Sequence, residues 1–311
     1  WIAALSDFIG QNDEAFREFP ALFADRDIAT LTEKSRDAYT RVKPLLEKRG
    51  AMGLIRRGHG DLHLGNIALI DGKPVLFDAL EFDPVVASGD LLYDLAFLLM
   101  DLIVRNLSGA ANIVFNRYLS QRDRKDDLEA LAALPLFLSV RAAIRAKVTA
   151  AKLEHAVESD RASIEKSARD YFDLAGRLIC PPAPALVAVG GLSGTGKSVL
   201  ARALAPCVMP SPGAVVLRSD VMRKHLFGAA ETDKLPQTAY AAEVTHRIYE
   251  ALAQQARRVI AAGHSVIVDA VFAKDGERDM IESIANAEQA RFQGLFLTAD
   301  LATRTARVGS R

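Results

Sequence analysis

The chain has little of what marks a specialised class of protein. It holds two cysteines in 311 residues, Cys180 and Cys207. Without metal-type spacing, they argue against a disulfide framework and suit a reducing, cytoplasmic setting. Net charge is missing: Lys+Arg and Asp+Glu number 39 each. No overall basic field therefore argues for nucleic acid or an anionic membrane, although a local patch stays open. Long apolar runs are missing as well. Leu91 to Val104 is the most apolar stretch, but Asp94 and Asp101 break it, and it is too short for a bilayer span. No signal-peptide pattern opens the chain. Trp rather than Met stands first, so a start upstream of Trp1 is expected. What remains is an ordinary globular composition, 50% hydrophobic and 25% charged, at a length that suggests about two domains.

The most informative segment is Gly191-Leu192-Ser193-Gly194-Thr195-Gly196-Lys197-Ser198. It fits the phosphate-cradling pattern of glycines at the required spacing followed by Lys and Ser. An apolar stretch, Ala185 to Val189, leads into it as a buried strand. A helix-like stretch, Ser198 to Ala205, follows and stops at Pro206. Glycines let the backbone turn several N–H groups toward one anion, and the helix N-terminus adds its positive end. Lys197 can reach the β- and γ-phosphates, and the Ser198 hydroxyl can ligate Mg²⁺.

Residues 1 to about 58 read as helical, with apolar spacing over Asp13–Ala24 and Leu31–Lys48. A polar loop and two short strands follow in 59–78. Leu91–Val104, Leu128–Leu153 and Ser159–Ile179 read as helices. The prolines of 180–184 end the last helix and form the clearest linker. Beyond it strands alternate with helices: Leu186–Val189, Ala214–Arg218, Ser265–Val268 and Phe292–Leu297 are the strands. That alternation predicts a parallel sheet with helices on both faces. There is no internal repeat and no low-complexity tract.

Ligands of open parallel sheets bind beyond the carboxyl ends of strands. Asp220 follows the strand ending at Arg218, and Asp269 follows the strand Ser265–Val268. Asp220 is placed to accept a proton from a substrate hydroxyl. Arg223, one helical turn on, can face the same cleft and clamp an anion. Asp269 can hold Mg²⁺ through a water. The plain alternative makes Asp220 a helix N-cap and Asp269 a turn residue. Arginines concentrate in 302–311, including Arg304 and Arg307. There a mobile arginine can neutralise charge on a transferred phosphoryl group, or simply lie on a solvated helix face.

The segment from 186 to 311 resembles the P-loop kinases of the polynucleotide kinase and zeta-toxin type, often grouped with AAA-like ATPase domains. The Gly191–Ser198 loop, Ser219-Asp220-Val221-Met222-Arg223, the strand ending in Asp269 and the arginines from Arg304 carry the likeness. The resemblance implies ATP and Mg²⁺ as cofactors, with Asp220, Arg223 and Arg307 catalytic. It also implies that the lid is cut short at Arg311.

A second signature lies upstream. His59-Gly60-Asp61-Leu62-His63-Leu64-Gly65-Asn66 has the H-x-D-x-x-x-x-N spacing of kinase catalytic loops. In such loops the Asp accepts the hydroxyl proton and the Asn ligates Mg²⁺. Asp71-Gly72 between Ile67–Ile70 and Lys73–Phe77 is a hairpin signal. Counting back from that turn puts Asn66 and Asp78 at the same open end, where one Mg²⁺ could touch both. A zinc site at His59, Asp61 and His63, or a polar turn without chemistry, are the competing readings. The stretch resembles the aminoglycoside phosphotransferase family, over about residues 1–179 and only the large lobe. Asp90 and Asp94 also match that family, as a helix cap or a brace for the loop. The nucleotide-holding small lobe has no counterpart in residues 1–58, which read as helical and place none of Lys34, Lys43 or Lys48 on a strand.

The fold expected is therefore α/β overall: a mostly helical kinase-like large lobe over 1–179, a proline-rich linker at 180–185, and a P-loop domain over 186–311. The function expected is an ATP-dependent phosphotransferase acting on a small hydroxyl substrate, without membrane partners and with nucleic acid disfavoured. A regulatory ATP-binding module, or an ATPase driving a conformational change, are the rivals.

Overall fold

The computed structural model describes residues 1–81, 87–121 and 125–309. Its chain divides into two compact units. One comprises Trp1–Val114 with Ala132–Pro181, and the other Phe115–Leu131 with Pro182–Arg311.

The first unit is mostly helical. It contains α1 (Ile2–Arg17), α2 (Asp25–Ala51), α3 (Leu91–Val104), the start of α4 (Ser108–Gln121), α6 (Leu134–Ala151) and α7 (Glu158–Ile179). The first two helices differ from the expected Asp13–Ala24 and Leu31–Lys48. The chain turns at 18–24 around Pro20, and α2 runs on through Pro44. Edge-on packing of Phe16 against Phe23 and Phe172, with ring centroids 4.8 and 5.0 Å away, ties α1 to α7. The helix expected over Leu128–Leu153 is interrupted. A short helix, α5 (Lys125–Glu129), and a 3₁₀ turn precede α6, which restarts with Pro135 in its first turn. A proline is tolerated there because the first-turn N–H groups have no intrahelical acceptor.

Two small sheets complete this unit. Strands β1 (Ile55–Arg57) and β4 (Ser88–Asp90) pair antiparallel, as do β2 (Ile67–Ile70) and β3 (Lys73–Leu76). Asp71 and Gly72 both take positive φ, 50° and 73°, the backbone of a tight hairpin turn. Asp90 caps α3 by accepting from Leu92 N at 2.8 Å. The same carboxylate takes two hydrogen bonds from the Arg49 guanidinium at 2.6 and 2.9 Å, and both side chains are fully buried.

The second unit is built on a four-stranded parallel sheet in the order β6-β7-β5-β8. The strands are β5 (Ala185–Gly191), β6 (Val215–Arg218), β7 (Val266–Asp269) and β8 (Arg291–Leu297). Helices α8 (Lys197–Leu204), α9 (Ser219–Leu226), α10 (Ala242–Ala261), α11 (Asp275–Ala287) and α12 (Leu301–Gly309) alternate with them. Val187 and Val189 of β5 and Ile267 of β7 form one core with Ala201, Ala205 and Ala214. Each strand lies within two residues of its expected limits.

The segment Phe115–Leu131 joins this unit although it precedes the proline linker by half a hundred residues. Its role is visible at Asn116. The side-chain amide donates to Ala214 O at 3.1 Å and accepts from Val216 N at 2.7 Å, closing the edge of β6 as another strand residue would. Phe115 packs edge-on against the buried His264, centroids 5.3 Å apart.

Candidate functional site

The glycine loop runs from the end of β5 to the first turn of α8. Gly194 has φ +82°, and a Cβ there would lie 2.6 Å from Arg304 O. Gly196 has φ +96° and serves as the left-handed N-cap of α8. Both positions require glycine on conformational grounds, and at Gly194 on steric grounds too. Within the loop, Leu192 O accepts from Thr195 Oγ1 at 2.8 Å and from Lys197 Nζ at 2.9 Å. The lysine thus lies along the loop that it would complete around a phosphate. Ser193 and Gly194 turn their carbonyls to α12, where Arg304 Nε donates to Ser193 O at 3.1 Å and Arg307 Nη1 to Gly194 O at 3.3 Å. Gly191 N donates to Val271 O at 3.1 Å, which fixes the loop to the segment after β7.

The strand ends meet where the sequence placed them. Arg218 of β6, Asp269 of β7 and Val189 of β5 are in register. Asp269 is buried, and its Oδ2 accepts from the Ser198 hydroxyl at 2.5 Å. Beyond it, Phe272 N donates to the Tyr249 hydroxyl at 2.8 Å. Burial pushes that phenol up to about 12, so it stays a neutral anchor for the loop.

Asp220 and Arg223 stand on the same short helix with different partners. Asp220 is in the first turn of α9 and half exposed, with Lys224 Nζ 3.3 Å from its Oδ2. It is not the helix cap; Arg218 occupies that position, with no side-chain cap bond. Arg223 is buried, donates Nη1 to Ala239 O and lies under the Tyr240 ring at 5.0 Å. Its mapped contacts therefore lead to the 237–240 turn rather than toward Asp220. Ser310 and Arg311, the end of the arginine-rich segment, lie outside the described residues.

In the other unit, His59-to-Asn66 forms a braced loop. Asp94 of α3 accepts from His59 N at 2.9 Å and Gly60 N at 3.0 Å, the bracing role expected of it. Asn66 Nδ2 donates to Asp61 Oδ2 and to Asp61 O, each at 3.0 Å, and His63 Nε2 lies 3.3 Å from Asp61 Oδ2. His59 Nε2 pairs with Phe77 O at 3.0 Å. Phe77 N donates to Asn66 O, so the hairpin brings Asn66 and Asp78 to one end; Asp78 is exposed with φ +60°. Among the described residues no three His, Cys, Asp or Glu side chains gather as a metal-ligand set. His59, Asp61 and His63 thus do not form the zinc site weighed above.

Sequence reading passed over Arg218, Lys224 and Tyr240. Arg218 closes the very strand that delivers Asp220, which was the available signal. Lys224 had a local signal too, its i,i+4 spacing from Asp220 on α9, whereas Tyr240 carries none because its partner Arg223 is set by the loop between α9 and α10.

Residues 186–311 match the family model described as an AAA domain. Together with the glycine loop and the Ser198–Asp269 pair, this identifies the segment as a P-loop nucleotide-binding domain of kinase or NTPase type. The chain is also similar to uncharacterized proteins of Mycobacterium bovis and of two strains of Mycobacterium tuberculosis. It is 30% identical to each over 221 residues, which is 70% of this chain and 42% of the relative. The chain thus spans less than half the length of the curated relatives it matches. No solved structure gives a significant match. Among the described residues, no helix is long and apolar enough to cross a membrane.

Proposed function

We propose that the P-loop unit is an ATP-dependent kinase that transfers the γ-phosphoryl group to the hydroxyl of a small substrate. The observation that carries this reading is the hydrogen bond between Ser198 Oγ and Asp269 Oδ2, which joins the glycine loop to the end of β7. Ser198 and Asp269 are hard oxygen donors of the kind Mg²⁺ takes and would hold such an ion, which would supply positive charge against the phosphates. The chain's own groups supply the rest. Backbone N–H groups of Gly194, Gly196, Lys197 and Ser198 would meet the phosphates, Thr195 N being held by Leu192 O, and Lys197 would exchange Leu192 O for a phosphate oxygen. Arg304 and Arg307 already lie against the loop and add positive charge where the transferred group passes. Asp220, in the first turn of α9 just past β6, accepts the substrate hydroxyl proton. Arg223 serves this site by fixing the 237–240 turn rather than by gripping the acceptor.

The Asp61–Asn66–Asp78 loop supports a second phosphotransfer-type site of the aminoglycoside phosphotransferase kind. Asp61 would be its base, and Asn66 and Asp78 its Mg²⁺ ligands.

The test is an acceptor screen with labelled ATP on the wild type and on Lys197→Ala, Asp220→Asn and Asp61→Asn. Lys197→Ala is expected to lower nucleotide affinity and turnover by at least a hundredfold, because it removes the charge that spans the phosphates. Asp220→Asn is expected to abolish transfer while keeping ATP binding. Unchanged turnover in Lys197→Ala would sink the kinase reading. Phosphate release that no acceptor stimulates would make the unit an ATPase.

A further inference from the structure

Arg218 stands at the P-loop site without a task in the proposed reaction. Its Nε lies 3.5 Å from Asp269 Oδ2, and its Nη1 lies 3.7 Å from Glu231 Oε2. The Nε is buried and makes no hydrogen bond. It is therefore charge rather than a hydrogen bond that ties this guanidinium to Asp269. The inner carboxylate, Asp269, is 6% exposed; the outer one, Glu231, is 41% exposed and has Arg117 Nη1 3.6 Å from its other oxygen. The row of charges therefore reads Asp269, Arg218, Glu231, Arg117, from the buried end outward. The same Oδ2 of Asp269 receives both the Ser198 hydroxyl and the Arg218 charge.

We infer that Arg218 is the resident counter-cation of the Ser198–Asp269 pair, a positioning residue that neutralises Asp269 until a divalent cation binds and then withdraws to Glu231. The inference rests on the kinase reading above. Two cations cannot share one buried carboxylate oxygen without strong repulsion, because the surroundings screen them poorly. A metal held by Ser198 and Asp269 would stand beside this guanidinium and push it away from Asp269. Glu231 is the carboxylate already within reach to receive it. The pair of acids on either side of Arg218 sets how much Mg²⁺ the site needs.

The experiment titrates MgCl₂ into the full chain in the presence of a non-hydrolysable ATP analogue. Calorimetry reads the half-saturating concentration, and the rise of Tm with Mg²⁺ is followed in parallel; neither readout needs turnover. Arg218→Gln removes the competing cation and is expected to lower the half-saturating Mg²⁺ concentration threefold to tenfold, on the order of one charge interaction in a partly screened site. Glu231→Gln removes the second seat and is expected to raise it by roughly the same factor. Arg218→Lys keeps the charge and is expected to stay close to wild type. A merely structural Arg218 predicts instead that both glutamine variants shift Mg²⁺ in the same direction or not at all, and either result overturns the inference. If Arg218→Gln does not fold, the direction of the half-exposed Glu231→Gln variant decides alone. Ser198→Ala separates the two levels. If it abolishes the Mg²⁺ effect seen in the wild type while Arg218→Gln changes nothing, only the counter-cation role fails. If the wild type shows no Mg²⁺-dependent nucleotide binding, the kinase reading fails with it.

Discussion

His264 is buried with its Nε2 3.0 Å from Gly213 O and its ring against Phe115. Burial pulls its pKa down to about 4 from 6.5, against the raising effect of the Gly213 carbonyl. The folded state therefore holds this imidazole neutral while the unfolded chain protonates it below pH 6.5. Between those two values the unfolded state binds more protons, so stability is complete above about pH 6.5 and falls as the pH drops toward 4. The full effect is on the order of 3 kcal/mol. Melting curves of His264→Gln should show a weaker loss of Tm between pH 6.5 and 4 than the wild type. At Arg49 and Asp90 the argument is one of pairing. Asp90→Ala takes two hydrogen bonds and a charge partner from the buried Arg49 guanidinium and removes the α3 cap, and should cost about 3–5 kcal/mol in denaturant unfolding. A double variant with Arg49→Met should recover part of that loss; full additivity would contradict the pairing.

Among the elements, the loop-to-α8 turn and the hairpin were the most legible in sequence, because their signals are local. Gly194, Gly196 and Asp71-Gly72 are backbone requirements that a residue type satisfies by itself. The strand ends at Arg218 and Asp269 were legible because a parallel sheet puts polar residues there. The burial of Arg223 was not legible because helical spacing fixes its direction relative to Asp220 but not which loop folds over it; Ala239 and Tyr240 come from farther along the chain. The break before α6 was legible at Pro135 and was overridden by the apolar periodicity on either side. The contact of α12 with the glycine loop has no local signal at all. It predicts that Gly194→Ala, with its Cβ directed at the Arg304 backbone, displaces α12 and strains the loop. Nucleotide affinity should fall by at least tenfold with the far-UV spectrum unchanged. Normal affinity in that variant would mean that α12 is not held against the loop in solution.

On the scale of the whole molecule, the proline linker is a change of composition rather than the complete border between units. The P-loop unit takes Phe115–Leu131 from before it, and Asn116 closes the β6 edge from that segment. A fragment of residues 182–311 should therefore unfold at lower denaturant than the same unit in the full chain. A peptide of residues 108–131 added in trans should restore part of the difference. A fragment as stable as the parent would remove any energetic role from the insertion. The insertion also bears on the order of synthesis. Phe115–Leu131 is synthesised before any strand of its sheet exists, and Phe115 stays without its His264 partner until β5 and β6 and the helices after them have been translated. Over that interval the Phe115 ring has no His264 to pack on, an order of events that a gene encoding the units one after the other would not impose.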